Sequence, residues 1–336
     1  MTADHSPSFN ASSGSTERPT IVVTRKIPGT LEPALPASVR TGPAEQLDRA
    51  ALLRHVAGAD VLVSMFSDRV DDELLDACGD GLRGVCNFAV GYDNIDLEAC
   101  RRRGVAVSNT PDAVTEGTAD MAWALLLAVA RRVVEADRFV RSGAFTRGGT
   151  LGMAEWLGAD LTGRTLLIVG AGRIGYATAL RSIGWGMRVL YVARSKHWNF
   201  ELAPIAGERV ALDEGLARAD VVSVHTPLTP ETRHQIDGRR LGLMKPNAIL
   251  INTARGPVVD EAALVEALRA GRIGGAGLDV FEREPELAPG LAALDSVVLT
   301  PHIGSAETKY REMMTAMVAA NASAMLRGER PPNQIE

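Results

Sequence analysis

The chain has 336 residues, 46% of them hydrophobic and 23% charged, and carries a net charge of -5. That length is comfortable for two domains, and the acidic balance argues against a nucleic-acid partner, which calls for a basic stripe. No run of eighteen apolar residues occurs, so no membrane-spanning helix is expected. The three cysteines, Cys78, Cys86 and Cys100, form no CxxC pair and have no His-rich neighbour, so no metal site is expected; their low, odd number fits a reducing cytoplasm.

Residues 1–19 are rich in Ser, Thr and Asn, lack the apolar core of a signal peptide, and read as a disordered tail. The β-branched run Thr20–Thr24 reads as a buried parallel strand. A helix is expected over 44–57, and strands over 59–64, 82–88 and 105–107, with a short helix over 97–103. Arg101, Arg102 and Arg103 then form a basic helix C-terminus. This alternation implies βαβ units around a parallel sheet. One long helix is expected from Thr118 to Ser142; it is apolar nearly all round in its first half, is ended by Gly143, and is followed by a Gly-rich loop. A second series follows, with six strands at 165–169, 187–192, 220–225, 247–252, 275–279 and 296–299, and helices that include 174–183 and 261–270. That is the count of a doubly wound dinucleotide fold. A last helix, 306–326, is placed to return to the first domain.

The segment Gly170-Ala171-Gly172-Arg173-Ile174-Gly175 follows an apolar strand and opens a helix, the context in which GxGxxG carries meaning. Gly170 permits the tight turn, Gly172 lets the backbone approach a pyrophosphate, and Gly175 lets helix and strand sit close. At the end of the next strand, an NAD site presents an acid to the ribose 2′-hydroxyl; here the slot is Ala193. Arg194 and Ser195 follow, and both can donate to a 2′-phosphate. NADP(H) is therefore expected over NAD(H), which stays as the alternative cofactor.

Reduction of a 2-keto acid needs a cation for the carboxylate and a proton donor that titrates near neutrality. Arg255 and His302 each follow a strand, where such folds place ligands, and a carboxylate beside His302 would favour the imidazolium and orient the ring. Glu282 and Glu284 both compete for that role. Gly91, in Asn87-Phe88-Ala89-Val90-Gly91-Tyr92-Asp93, permits a nest of backbone donors.

The combination GAGRIG, TARG, DVFxxEP and TPHIGS resembles the D-2-hydroxyacid dehydrogenase family, and most of all its glyoxylate/hydroxypyruvate reductases, over about residues 20–330. The resemblance implies Arg255 as the substrate-binding cation, His302 as acid/base, and Glu284, directly before Pro285, as its partner. It implies amides at Val90 and Gly91 on the substrate carboxylate, with Phe66 near the side-chain pocket. It places Thr118, Thr226, Pro227, Thr253, Ala254 and Gly304 on the cofactor together with Arg173 and Ile174, and sets Asp279 near the nicotinamide carboxamide.

The expected architecture is α/β: a smaller flavodoxin-like substrate domain of 20–117 and 305–336, and a Rossmann-type dinucleotide domain of 118–304, with the site between them. The expected reaction is NADPH-dependent reduction of glyoxylate or hydroxypyruvate by a cytoplasmic homodimer, with the long helix and the Trp156 segment at the dimer contact. Other D-2-hydroxy acids or phosphite are alternative substrates, and a corepressor-like nucleotide sensor is the alternative of another class.

Overall fold

The computed structural model describes residues 18–335. The tail expected over 1–19 lies outside the described residues except for Arg18 and Pro19, which have no regular structure. Two compact units emerge. One is the chain up to Phe88, Asn94–Asn109 and Thr315 onward; the other is Ala89–Asp93 and Thr110–Met314.

The smaller unit runs β1 (Thr20–Val23), β2 (Ser38–Thr41), α1 (Arg49–Val56), β3 (Val61–Ser64), α2 (Asp72–Cys78), β4 (Gly84–Asn87), α3 (Leu97–Arg102) and β5 (Ala106–Ser108). All pairings are parallel, in the order β2-β1-β3-β4-β5. This is the flavodoxin-like order, with its switch point between β1 and β3. Each helix opens on an aspartate, Asp48, Asp71 or Asp96, whose carboxylate accepts from an amide of the first turn. Val22, Leu62 and Val85 meet Leu52, Leu74 and Ala99 in the core. The edge strand β2 (SVRT) is exposed throughout and carries no apolar run, so periodicity did not reveal it.

The larger unit continues with α4 (Thr115–Ala130), α5 (Val133–Arg141), α6 (Ala144–Gly148), β6 (Thr165–Val169), α7 (Arg173–Arg181), β7 (Arg188–Val192), α8 (Trp198–Glu201), β8 (Glu208–Arg209), α9 (Leu212–Arg218), β9 (Val221–Val224), α10 (Gly238–Leu241), β10 (Ile249–Asn252), α11 (Glu261–Arg269), β11 (Gly275–Leu278) and β12 (Val297–Leu299). The last helix, α12 (Thr308–Leu326), contains the boundary between the units. The sheet has seven parallel strands, β12-β11-β10-β9-β6-β7-β8, rather than the six expected. Counted from β6 this is the 3-2-1-4-5-6 order of a dinucleotide fold with one strand more. The unforeseen strand β8 is two exposed residues, too short and polar to register in a hydropathy pattern.

The single helix expected over 118–142 is two. Its chain leaves α4 because the Ala130 carbonyl accepts from the Ala159 amide at 2.8 Å. Arg132 then turns to φ +52, and its guanidinium lies 4.7 Å from the Trp156 ring centre. Gly143, at φ +75, ends α5. The unit boundaries also depart from the expected ones: 89–93, 110–117 and 305–314 fall in the larger unit. The Thr110 amide bonds Ala89 O at 2.9 Å, and Asp93 pairs with Arg255. Among the described residues no helix is long and apolar enough to cross a membrane.

Candidate active site

The turn from β6 to α7 sits at the switch point between β6 and β9. Gly170 takes φ +104, and a Cβ there would meet the His225 carbonyl at 2.8 Å. A Cβ on Gly175 would stand 2.2 Å from Gly170 O, so only glycine lets α7 approach β6 this closely. Gly172 is the N-cap of α7 and faces open space, which leaves the first-turn amides accessible to an anion. Ile174 lies in that first turn; Arg173 pairs with Asp112 at 2.6 Å.

Past β7, Arg194 and Ser195 are exposed, and the Glu231 carboxylate lies within reach of the Arg194 charge. No acid stands in the 193 slot. Thr226 bonds Gln235 at 3.3 Å, and Thr232 bonds the Pro227 carbonyl at 2.7 Å, folding the loop after β9 on itself. Thr118 is buried beside Gly304. Thr253 Oγ1 is buried with no hydrogen-bond partner, an orphaned hydroxyl of the sort that a bound group satisfies. An accessible helix N-terminus, a close-packed glycine turn and this hydroxyl fit a nicotinamide dinucleotide.

Arg255 and the 89–93 loop come together. The guanidinium fills the space that a side chain at position 91 would need. Its Nε donates to Asp93 Oδ1 at 2.8 Å and its Nη1 to Ala254 O at 2.9 Å. Asn252, buried at the end of β10, receives the Ala254 amide at 3.0 Å and donates to Arg255 O at 2.9 Å, which shapes the turn.

His302 Nδ1 and Glu284 Oε2 are 2.9 Å apart, and Glu284 Oε1 accepts from the Phe281 amide at 3.0 Å. Burial pushes the Glu284 carboxyl up, but the His302 bond and charge, the Phe281 amide and the Arg255 charge outweigh it and hold the group below the ordinary glutamate value. Glu282 is committed elsewhere: its carboxylate meets His234 at 2.8 Å and its amide donates to buried Glu261 at 2.7 Å. His302 has φ +55, a backbone state that costs a non-glycine residue about 1–3 kcal/mol. Asp279 compensates. It receives Thr300 Oγ1 at 2.6 Å and the Ile303 and Gly304 amides at 2.9 and 2.7 Å. Burial raises the Asp279 carboxyl above its ordinary value, against the pull of these donors and of the His302 charge.

Val90, Gly91, Arg255, Glu284, His302 and Asp279 thus belong to the larger unit, while Phe66, half-buried just past β3, belongs to the smaller. Sequence reasoning assigned no role to Asp93 or Asn252. The signal for Asn252 was present: a polar residue closing the apolar run Ile249–Ile251. Among the described residues no cluster of three or more His, Cys, Asp or Glu side chains is arranged for a metal ion.

Fold and site together define an oxidoreductase that uses a nicotinamide dinucleotide. The family model for the NAD binding domain of D-isomer specific 2-hydroxyacid dehydrogenase matches residues 123–304. A glyoxylate reductase of Thermococcus onnurineus is 49% identical over 322 residues, covering 95% of this chain and 96% of the relative. A crystal structure of a Thermus thermophilus protein is 45% identical with a TM-score of 0.85, covering 94% of this chain and all of that one (100%). An NADPH-dependent glyoxylate/hydroxypyruvate reductase of Sinorhizobium meliloti, in complex with NADP and malonate, is 33% identical with a TM-score of 0.82, covering 95% and 97%. The chain belongs to the D-isomer specific 2-hydroxyacid dehydrogenase family.

Proposed function

We propose that this protein reduces glyoxylate or hydroxypyruvate to glycolate or D-glycerate, with NADPH preferred to NADH. The observation that carries the reading is the His302–Glu284 pair, in the same unit as a guanidinium packed on the 89–93 loop. The names of the relatives support the substrate class. The substrate carboxylate is held by Arg255 and the Val90 and Gly91 amides. The reduced dinucleotide, when bound, supplies the hydride to the carbonyl carbon. Glu284 engages Nδ1, so the proton passed to the carbonyl oxygen is the one on Nε2 of His302. Arg255 opposes the charge that develops on that oxygen. Asp279 anchors the His302 turn; Thr118, Thr253, Ala254, Gly304 and Asp279 would hold the nicotinamide of the cofactor, and Arg194 and Ser195 would take a 2′-phosphate in place of an acid at Ala193.

We also infer a cytoplasmic homodimer. Its contact is formed by α5, α6 and the Trp156 segment, where Val133, Val140, Phe145, Met153 and Leu157 are exposed.

Steady-state kinetics on a panel of 2-keto acids with both cofactors tests the proposal. Turnover of glyoxylate and hydroxypyruvate, with the higher kcat/KM for NADPH, is expected. Silence on both acids, with fast turnover of another 2-keto acid or oxidation of phosphite, would overturn the substrate reading. Tight NADPH binding without turnover of any acid would favour a nucleotide sensor.

A further inference from the structure

We infer that Arg209 is a specificity-positioning residue: it brackets the backbone of the 193–194 turn from below and so sets Arg194 and Ser195 for a ribose 2′-phosphate. The inference rests on the NADPH preference proposed above and names a device behind it.

Arg209 lies on the edge strand β8, directly paired in register with Tyr191 of β7. Its Nε donates to Ala193 O at 3.1 Å and its Nη2 to Arg194 O at 2.9 Å. One rigid guanidinium therefore spans two successive carbonyls, the residue in the acid slot and the first candidate phosphate donor. The far side of the turn is tied as well. Tyr191 Oη accepts the His197 amide at 3.1 Å and donates to Glu201 at 2.7 Å, and Lys196 pairs with Glu201 at 2.8 Å. Between these two ties, Arg194 and Ser195 stand exposed, with the Glu231 carboxylate within reach of the Arg194 charge.

The chemistry favours a dianion at this turn. A fork that satisfies two carbonyls restricts the turn to one conformation, because its donors sit at a fixed spacing that the rotatable ammonium of lysine lacks. Ordering the turn in advance lowers the entropy that binding must overcome. Arg209 also leaves a second positive charge beneath the site, whose influence reaches Tyr191 and Glu201. Lys196 is spent on Glu201 and Arg209 on the carbonyls, so Arg194 and Ser195 are the groups left for the ligand.

Calorimetric titration with 2′,5′-ADP and with 5′-AMP isolates the 2′-phosphate without turnover. The wild-type chain is expected to prefer 2′,5′-ADP, and Arg194→Ala to remove most of that preference. Arg209→Ala is expected to weaken 2′,5′-ADP about tenfold and 5′-AMP much less, the order expected for two charge-assisted bonds lost behind the site. Arg209→Lys, which keeps the charge but loses the rigid fork, is expected to resemble Arg209→Ala. Wild-type preference in Arg209→Lys would overturn the positioning role and leave charge alone. A selective loss in Arg194→Ala with none in Arg209→Ala would overturn the inference while sparing the NADPH reading. No wild-type preference for 2′,5′-ADP would overturn both. Circular dichroism of each variant checks its fold.

Discussion

Replacing Glu284 by glutamine keeps the shape of the side chain and an acceptor for His302 Nδ1 but removes the negative charge. The pair is 2.9 Å long, with side-chain exposures of 22% for His302 and 28% for Glu284, so solvent screens it little. A hydrogen bond to a charged group contributes about 1.5–3 kcal/mol. At about 1.4 kcal/mol for each factor of ten, that amounts to roughly a 10- to 100-fold change in rate. The sign follows from the proton count. The proposed reduction consumes a proton from the imidazole, and a neighbouring carboxylate stabilises a protonated imidazole. The Glu284 carboxyl is itself held low, so it stays charged into acid and exerts this effect across the working range. The kcat/KM for glyoxylate reduction should therefore fall roughly 10- to 100-fold in Glu284→Gln. Steady-state rates, with cofactor affinity measured in parallel, make the test. A kcat/KM unchanged from wild type would refute the coupling of Glu284 to His302.

Gly175→Ala places a methyl 2.2 Å from Gly170 O and 2.9 Å from Ile168 Cγ2, so α7 must move off β6. A loss of about 1–3 kcal/mol in urea unfolding without cofactor is expected, and unchanged stability would mean that the turn yields freely. Asp220 is raised by its burial but brought below its ordinary value by Lys245, the Thr165 amide and the Arg164 charge. Its contribution is therefore present above the unfolded aspartate value, near 4, and is lost as pH falls through the lower folded value. Asp220→Asn should cost about 1 kcal/mol at pH 7 and less at a pH below the unfolded value. A cost equal at both would contradict the linkage.

What could be read from the sequence follows burial. β6, β9 and β10 are buried on both faces and appear as continuous apolar runs. β2 and β8 owe their existence to backbone pairing at sheet edges, which leaves no trace in hydropathy. The break between α4 and α5 was hidden for another reason. It depends on an amide at Ala159, far along the chain, taking the Ala130 carbonyl, and no local pattern encodes that partner. In the site, Arg255, Glu284 and His302 were visible as polar residues after strands. The choice of Glu284 over Glu282 came from a motif; in the structure Glu284 is the carboxylate on His302, and Glu282 is engaged by His234 and the Glu261 network. Asp93 was unassigned because its partner Arg255 stands far away in sequence.

Arg255, Asp93, Glu284, His302 and Asp279 all belong to one unit, and the bonds among them close within it. The chain up to Phe88, with Phe66, belongs to the other. The polar machinery is thus a self-contained cassette. A chimera that exchanges only the segment before Ala89 inherits that machinery whole, so this segment can be recombined without rebuilding the His302–Glu284 pair.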